Sequence, residues 1–271
     1  MSTIPSRFGQ QPSQVDLEEL PHWILYEDEN LLVINKPGWL VCHPSKEGPL
    51  SSLVGAAKIY LGLEKLHLLA RLDRETSGLV LLGKNPRTAR AIQKAIEARS
   101  VKKEYLAILQ GSLSGNLITV DQPLAKDRSS PVLAKQRVRE DRTAQMAKSH
   151  FFPLKTRVDW TLCRVLLETG RKHQIRAHAE YLGTPVAGDK IYSGKPELFL
   201  KFIESGWTEE LAKVLPFPRQ MLHAYRLTIP LPEICWIFEA PVTEDFRSAL
   251  VEKFGAEVLS LVKPKFYRDE T

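Results

Sequence analysis

Leu68-Leu69-Ala70-Arg71-Leu72-Asp73-Arg74-Glu75-Thr76-Ser77-Gly78-Leu79-Val80-Leu81-Leu82 decides the reading of this chain. An apolar pair enters a turn crowded with charge, and Thr76-Ser77-Gly78 then releases the backbone into an apolar run of strand length. Arg71 and Arg74 flank Asp73 at short separations, so at least one guanidinium is expected close enough to hold the carboxylate ionised at neutral pH. Such a group suits a nucleophile or a base, not a general acid. A salt-bridged surface turn produces the same local pattern, and the segment by itself does not choose between the two.

Outward from that turn, Asn85-Pro86 supplies an N-cap and a first-turn proline for a helix running to about Arg99, with Ala89, Ile92, Ala95 and Ile96 as its inner line. A strand follows over 102–109. Upstream, 23–26 and 31–34 read as strands, and Leu53, Ala56, Ala57, Tyr60 and Leu61 recur at helical spacing. Downstream, 123–131 reads as a polar loop, while 132–134, 144–147 and a long segment over 158–168 alternate as strands. Gly170 ends the last of these, and a helix is expected from Arg171 to Leu182, closed by Gly183 and Pro185. That expectation puts Arg171, Lys172, His173 and Gln174 in its first turn, where an anion is welcome. Two short helices over 196–214, a strand pair over 222–227 and 234–238, and a last helix carrying Phe246, Leu250 and Phe254 complete the chain. Consecutive strands without intervening helices argue for antiparallel pairing and an α+β class: a mixed, mainly antiparallel sheet flanked by helices.

The chain of 271 residues can bury a sizeable core, and one domain is favoured. Its expected bounds are 21–256, after a flexible segment 1–20 and before a C-terminal tail 257–271. Lys plus Arg number 38 against 32 Asp plus Glu, a net charge of +6 that is compatible with a polyanionic partner without requiring one. Cys42, Cys163 and Cys235 are dispersed and form no CxxC pair, so neither a disulfide framework nor a zinc site is expected. His173 and His178 are five apart, which does not place both on one helix face as metal ligands, and His43 reads as a loop histidine. With no apolar run of membrane-span length and no basic-then-apolar leader, a cytoplasmic protein without membrane contact is expected. A monomer is expected as well. Phosphate-cradling patterns such as GxxxxGK[ST] and GxGxxG are absent, which weakens nucleotide-dependent readings. What is left suits chemistry on a nucleic-acid base by an aspartate that needs no cofactor or metal.

Three separated blocks carry a resemblance: Asn35-Lys36-Pro37-Gly38, Arg71-Leu72-Asp73-Arg74-Glu75-Thr76-Ser77-Gly78, and Gly170-Arg171-Lys172-His173-Gln174-Ile175-Arg176-Ala177-His178. With Lys103-Glu104-Tyr105-Leu106-Ala107 between the last two, and weaker matches at 188–192 and 222–224, they stand in the order found in the RluA-type RNA pseudouridine synthases. The chain resembles that family over about residues 23 to 250. The resemblance implies a central cleft in which uridine in structured tRNA or rRNA is isomerised to pseudouridine, with Asp73 as the essential aspartate. The carboxylate could add covalently to ribose or base, or abstract the ribose 2′ proton to form a glycal-like species; both routes stay open.

Carried over residue by residue, the resemblance implies that Tyr105 stacks on the target base and assists proton transfer at carbon 5. Arg176 pairs with Asp73, and Arg71 fills the gap left when uridine leaves its stack. Arg74, in the same basic turn, is an RNA-binding residue as well, and Arg171, Lys172 and His173 grip flanking phosphates. Two departures stand out. Ala70 occupies the position where the family usually has histidine, and residues 1–20 leave no room in this sequence for the small N-terminal RNA-binding domain of many larger members. Competing readings are a catalytically silent RNA-binding protein and a glycoside hydrolase, the latter lacking an identifiable second carboxylate.

Overall fold

The computed structural model describes residues 14–43 and 47–264. Strands β1 (Ile24–Glu27), β2 (Leu31–Lys36), β3 (His67–Ala70) and β4 (Ser77–Gly83) are joined by helices α1 (Leu53–Leu61) and α2 (Pro86–Glu97) into the first half of a ten-stranded sheet. The second half comprises β5 (Lys102–Gln110), β6 (Ile118–Asp121), β9 (Lys148–Arg157), β10 (Trp160–Leu167), β11 (Leu222–Pro230) and β12 (Cys235–Glu239), while β7 (Leu124–Lys126) and β8 (Gln136–Val138) form a separate hairpin. Helices α3 (Gln174–Tyr181), α4 (Glu197–Ser205), α5 (Glu209–Ala212) and α6 (Glu244–Phe254) flank them. The strand order is β1-β2-β4-β11-β5-β10-β9-β6, with β3 on β4 and β12 on β11. All of these pairs are antiparallel except β4 with β11, so the expected mainly antiparallel α+β fold is the fold observed.

The alternation of β5 shows how the sheet divides space. Leu106 and Ile108 pack with Leu162, Phe246, Leu250 and Phe254 under α6, whereas Ala107 and Leu109 pack with Cys163, Val165, Ile175 and Ala179 under α3. Tyr105 falls on the α3 face. Joining the halves, β4 and β11 meet in parallel through His223 with Ser77 and Ala224 with Gly78. Gly78 has φ +106°, and a Cβ there would lie 2.2 Å from the Ala224 carbonyl oxygen, so only glycine allows this approach.

Several expectations are corrected. Residues 132–134 form a turn in which Lys135 N–H donates to the Val132 carbonyl, and Gln145 makes a single bridge to Leu124, so neither segment is a strand; the polar loop over 123–131 instead contains β7. The long strand expected from Val158 begins at Trp160, because Val158-Asp159 is the turn of the β9–β10 hairpin, with Val158 at φ 49° where Asn or Gly would signal the turn. Strands β3, β6, β8 and β9 are additional. Packing also extends past the expected domain bounds. Val15 and Leu20 are buried at one end, and a 3-10 helix over Ala256–Val262 buries Val258 and Val262 at the other. Residues 1–13 of the lead-in, 44–46 of the loop after His43, and 265–271 of the tail lie outside the described residues.

Buried histidines make the fold sensitive to acid. His223 is fully buried; its Nε2 donates to the Ala240 carbonyl at 3.3 Å, so Nδ1 accepts from Ser77 Oγ at 2.9 Å. Burial holds its pKa down at about 4. The unfolded imidazole takes a proton near pH 6.5 and the folded one does not, so stability falls as pH drops through that interval and levels off below about 4. Between pH 7 and pH 5 the loss is expected to be roughly 2 kcal/mol for this group. Urea midpoints at the two pH values check it: His223→Asn should lose less between them than the wild type.

Candidate active site

Asp73 sits between β3 and β4 in a turn held at almost every residue. The fully buried Lys36 donates to the carbonyls of Pro37, Leu40 and Arg74 at 2.9, 2.8 and 3.0 Å, and burial lowers its pKa to about 8. Arg219, also fully buried, donates to the Glu75 carbonyl at 3.0 Å and is fixed by Asp245, Thr243 and Ser77. Lys190 chelates the Glu75 carboxylate at 2.9 Å to each oxygen, and Leu72 N–H meets Cys42 Sγ. Thr76 N–H closes the turn onto the Asp73 carbonyl. A loop pinned this way presents one side chain with little conformational freedom.

That side chain meets Arg176 on α3. Its Nη1 donates to Asp73 Oδ2 at 2.8 Å, and its other edge forms a fork with the fully buried Asp189, Nε to Oδ2 at 2.6 Å and Nη2 to Oδ1 at 2.9 Å. Asp189 also accepts from the N–H groups of Ile191 and Tyr192. Burial pushes the Asp73 carboxyl up, but Arg176, His173 and Arg71 together pull it below the ordinary carboxylate range. Asp73 is therefore ionised at neutral pH, with Arg176 rather than Arg71 or Arg74 as its direct partner.

Tyr105 lines the inner hollow with Asp73, Arg71, Arg171 and Leu222, a space of about 80 Å³. Burial, then the Asp73 charge, pushes its phenol far above the usual value, so it carries its proton at neutral pH. A wider cleft of about 600 Å³ opens above Asp73, with Arg71, Arg74, Lys172 and His173 on its polar side and Phe199, Phe202 and Ile203 of α4 opposite. Arg71 and Lys172 are exposed. Arg74 Nε donates to the Trp39 carbonyl at 3.2 Å, and Arg171 Nε to that of Met146 at 3.1 Å.

His173 differs from expectation. It stands at φ 56°, ahead of α3 rather than within it, with its side chain 8% exposed. Helix α3 starts at Gln174 because the buried Gln174 amide accepts from Thr169 Oγ1 and Arg171 N–H and donates to the Lys148 carbonyl and Ser149 Oγ, tying residues 169–173 into a turn. The anion site expected in a first helical turn at 171–174 is thus not formed there. Tyr192 Oη accepts from Gln136 N–H at 2.8 Å, so its own hydrogen points to His173 Nδ1 at 3.1 Å. His173 Nε2 then carries the ring proton and faces Asp73 Oδ2 at 3.8 Å; burial, then Arg176, keeps the ring neutral down to about pH 4. His178 is packed, bonded to Ser149 Oγ and the Gln122 carbonyl. Among the described residues no group of three or more His, Cys, Asp or Glu is placed to hold a metal ion.

The sequence brings Asp73, Tyr105 and Arg176 together through the resemblance but gives no role to Asp189, Lys190 and Tyr192, which stand in a weaker block match, or to Arg219. The available signal was charge inside a segment that also carries Ile191 and Tyr192, both buried. Ala70 lies in the β3–β4 ladder opposite Leu81 and lines neither hollow.

Residues 30–181 match the profile of the RNA pseudouridylate synthase family. A ribosomal large subunit pseudouridine synthase D from Haemophilus influenzae is 30% identical over 88% of this chain and 72% of its own length, and one from Xanthomonas campestris is 34% identical over 85% and 69%. Among solved structures, human RNA pseudouridylate synthase domain containing 4 aligns with TM-score 0.68 and 29% identity, covering 86% of this chain and 94% of its own. With the family profile spanning more than half of the chain and such relatives spanning most of it, the chain belongs to the RNA pseudouridine synthases, which are isomerases acting on RNA.

Proposed function

We propose that Asp73 is the carboxylate on which isomerisation depends, acting on uridines of structured rRNA or tRNA that are everted into the cleft. The observation that carries this reading is the Asp73–Arg176–Asp189 chain, which keeps one ionised carboxylate facing a hollow backed by Tyr105. In the reaction the bond from ribose C1′ to uracil N1 breaks, a bond from C1′ to C5 forms, and the C5 proton leaves while N1 gains one. Tyr105 would relay that late transfer, its oxygen taking the C5 proton as its own phenolic proton passes to solvent, and its ring would face the base. Arg71, exposed at the mouth, takes the space vacated in the RNA stack and recovers part of the few kcal/mol that eversion costs. Lys172, Arg171 and Arg74 supply cationic contacts to the strand. His173 is reassigned from phosphate binding to aligning Asp73, because its ring faces that carboxylate. Of the two RNA classes, the names of the Haemophilus and Xanthomonas relatives favour rRNA.

Mapping pseudouridines in total RNA with and without the protein tests the substrate, since a site lost in its absence names the RNA. Tritium release from RNA labelled at uracil C5 tests the reaction. No release from any cellular RNA would overturn the reading, and release of free uracil would replace it with glycoside hydrolysis.

A further inference from the structure

Next to the inner hollow lies a second space of about 300 Å³, between the end of α2, the start of β5 and the turn after β10. Its cations are Arg99, Lys103 and Arg171, and Arg171 lines the inner hollow as well. We infer that this basic hollow seats a backbone phosphate of the RNA strand beside the everted uridine, with Lys103 as its central cation. The inference rests on the RNA-binding reading above and extends it to a site outside the catalytic cleft.

Alternation along β5 puts Lys103 on the same face as Tyr105, the face under α3. One strand repeat separates them, roughly 7 Å. A nucleotide whose base lies against Tyr105 therefore brings its sugar-phosphate within reach of a lysine side chain. Among the described residues Lys103 Nζ has no hydrogen bond or ion pair, and burial lowers its pKa. An ammonium without a partner in a partly dry hollow gains more from an arriving anion than one in bulk water. Gly170 lines the same hollow, with the Lys103 ammonium 3.9 Å from where its Cβ would be.

The two carboxylates of the hollow already have partners. Glu168 takes His150 at 2.6 Å and Lys148 at 3.4 Å, and Glu97 accepts from Gln93 at 3.1 Å. Arg99 follows the Ala98 cap of α2 at φ 57°, a left-handed position where glycine is commonest, and its side chain lines the hollow.

Fluorescein-labelled oligouridylate is the probe, titrated against wild type, Lys103→Gln, Lys103→Arg and Lys155→Gln over a series of salt concentrations. Lys155 is the control because it pairs with Leu162, five residues along β10 from Leu167, the partner of Lys103. For Lys103→Gln, several-fold weaker binding is expected, with a log–log salt slope shallower by about 0.7, one phosphate contact on a single strand. Lys103→Arg should keep the wild-type slope, and Lys155→Gln should match the wild type. If Lys103→Gln behaves as Lys155→Gln does, or loses affinity with an unchanged slope, the phosphate seat is overturned while pseudouridine formation stands. If the wild type binds neither this probe nor cellular RNA, the RNA-binding reading falls with it.

Discussion

Replacing Asp73 with asparagine is expected to lower the single-turnover rate of pseudouridine formation by roughly 10⁴-fold or more, with RNA affinity within a few-fold of the wild type. The amide keeps the size of the carboxylate and can turn its oxygen to Arg176 Nη1, but it carries no charge to act as nucleophile or base. Stability should change little. Arg176 retains its fork with Asp189, and Asp73 itself is 29% exposed, so water compensates part of the lost pairing. Loss of a negative charge beside an RNA cleft does not weaken phosphate contacts. Tritium release with the variant in excess over labelled RNA measures the rate, and turnover near the wild-type rate would remove Asp73 from the chemistry.

Arg176→Met is expected to damage both folding and catalysis, through different carboxylates. Methionine fills much of the volume, but Asp189, fully buried, keeps only two backbone N–H donors. Breaking a buried pair by removing one partner costs about 3–5 kcal/mol. In a chain of this length that corresponds to a fall in Tm of roughly 10 °C, measurable by thermal unfolding. The catalytic consequence is a matter of pH. In the wild type Asp73 is held below 3.8, so the acid limb of the rate profile lies beneath the ordinary carboxylate range and the rate stays flat as pH drops from 7 to 5. Without Arg176, the largest opposition to burial is gone. The Asp73 pKa rises and the acid limb moves to higher pH. A destabilised variant with an unmoved acid limb would make Arg176 a structural pin.

How far the sequence discloses this site depends on the range of each interaction. The helix after Asn85 was legible because its cap is local: Asn85 Oδ1 accepts from Thr88 N–H at 2.9 Å. The pairing of Arg176 with Asp73 spans 103 residues and was available only through the resemblance. Lys36, Lys190 and Arg219 were illegible as a set, since much of what they hold is backbone carbonyl, which leaves no mark on residue type. The start of α3 was misplaced for a related reason. Arg171-Lys172-His173 has adequate helix propensity, and the turn is imposed by one buried amide, Gln174, whose partners lie on β9 and at Thr169. The β9–β10 turn escaped because valine stands where the backbone calls for asparagine or glycine.

The clamp around the Asp73 turn also sets when the protein becomes competent during its synthesis. Three of its fasteners, Lys190, Arg219 and Asp245, lie far downstream, and the parallel junction of β4 waits for Ala224. A nascent chain that has emerged only as far as α3 already contains Asp73, Tyr105 and Arg176, yet lacks Asp189 to aim the guanidinium and β11 to seat Gly78. The turn is therefore expected to reach its clamped form only after the segment from Asp189 to Asp245 has left the ribosome and docked.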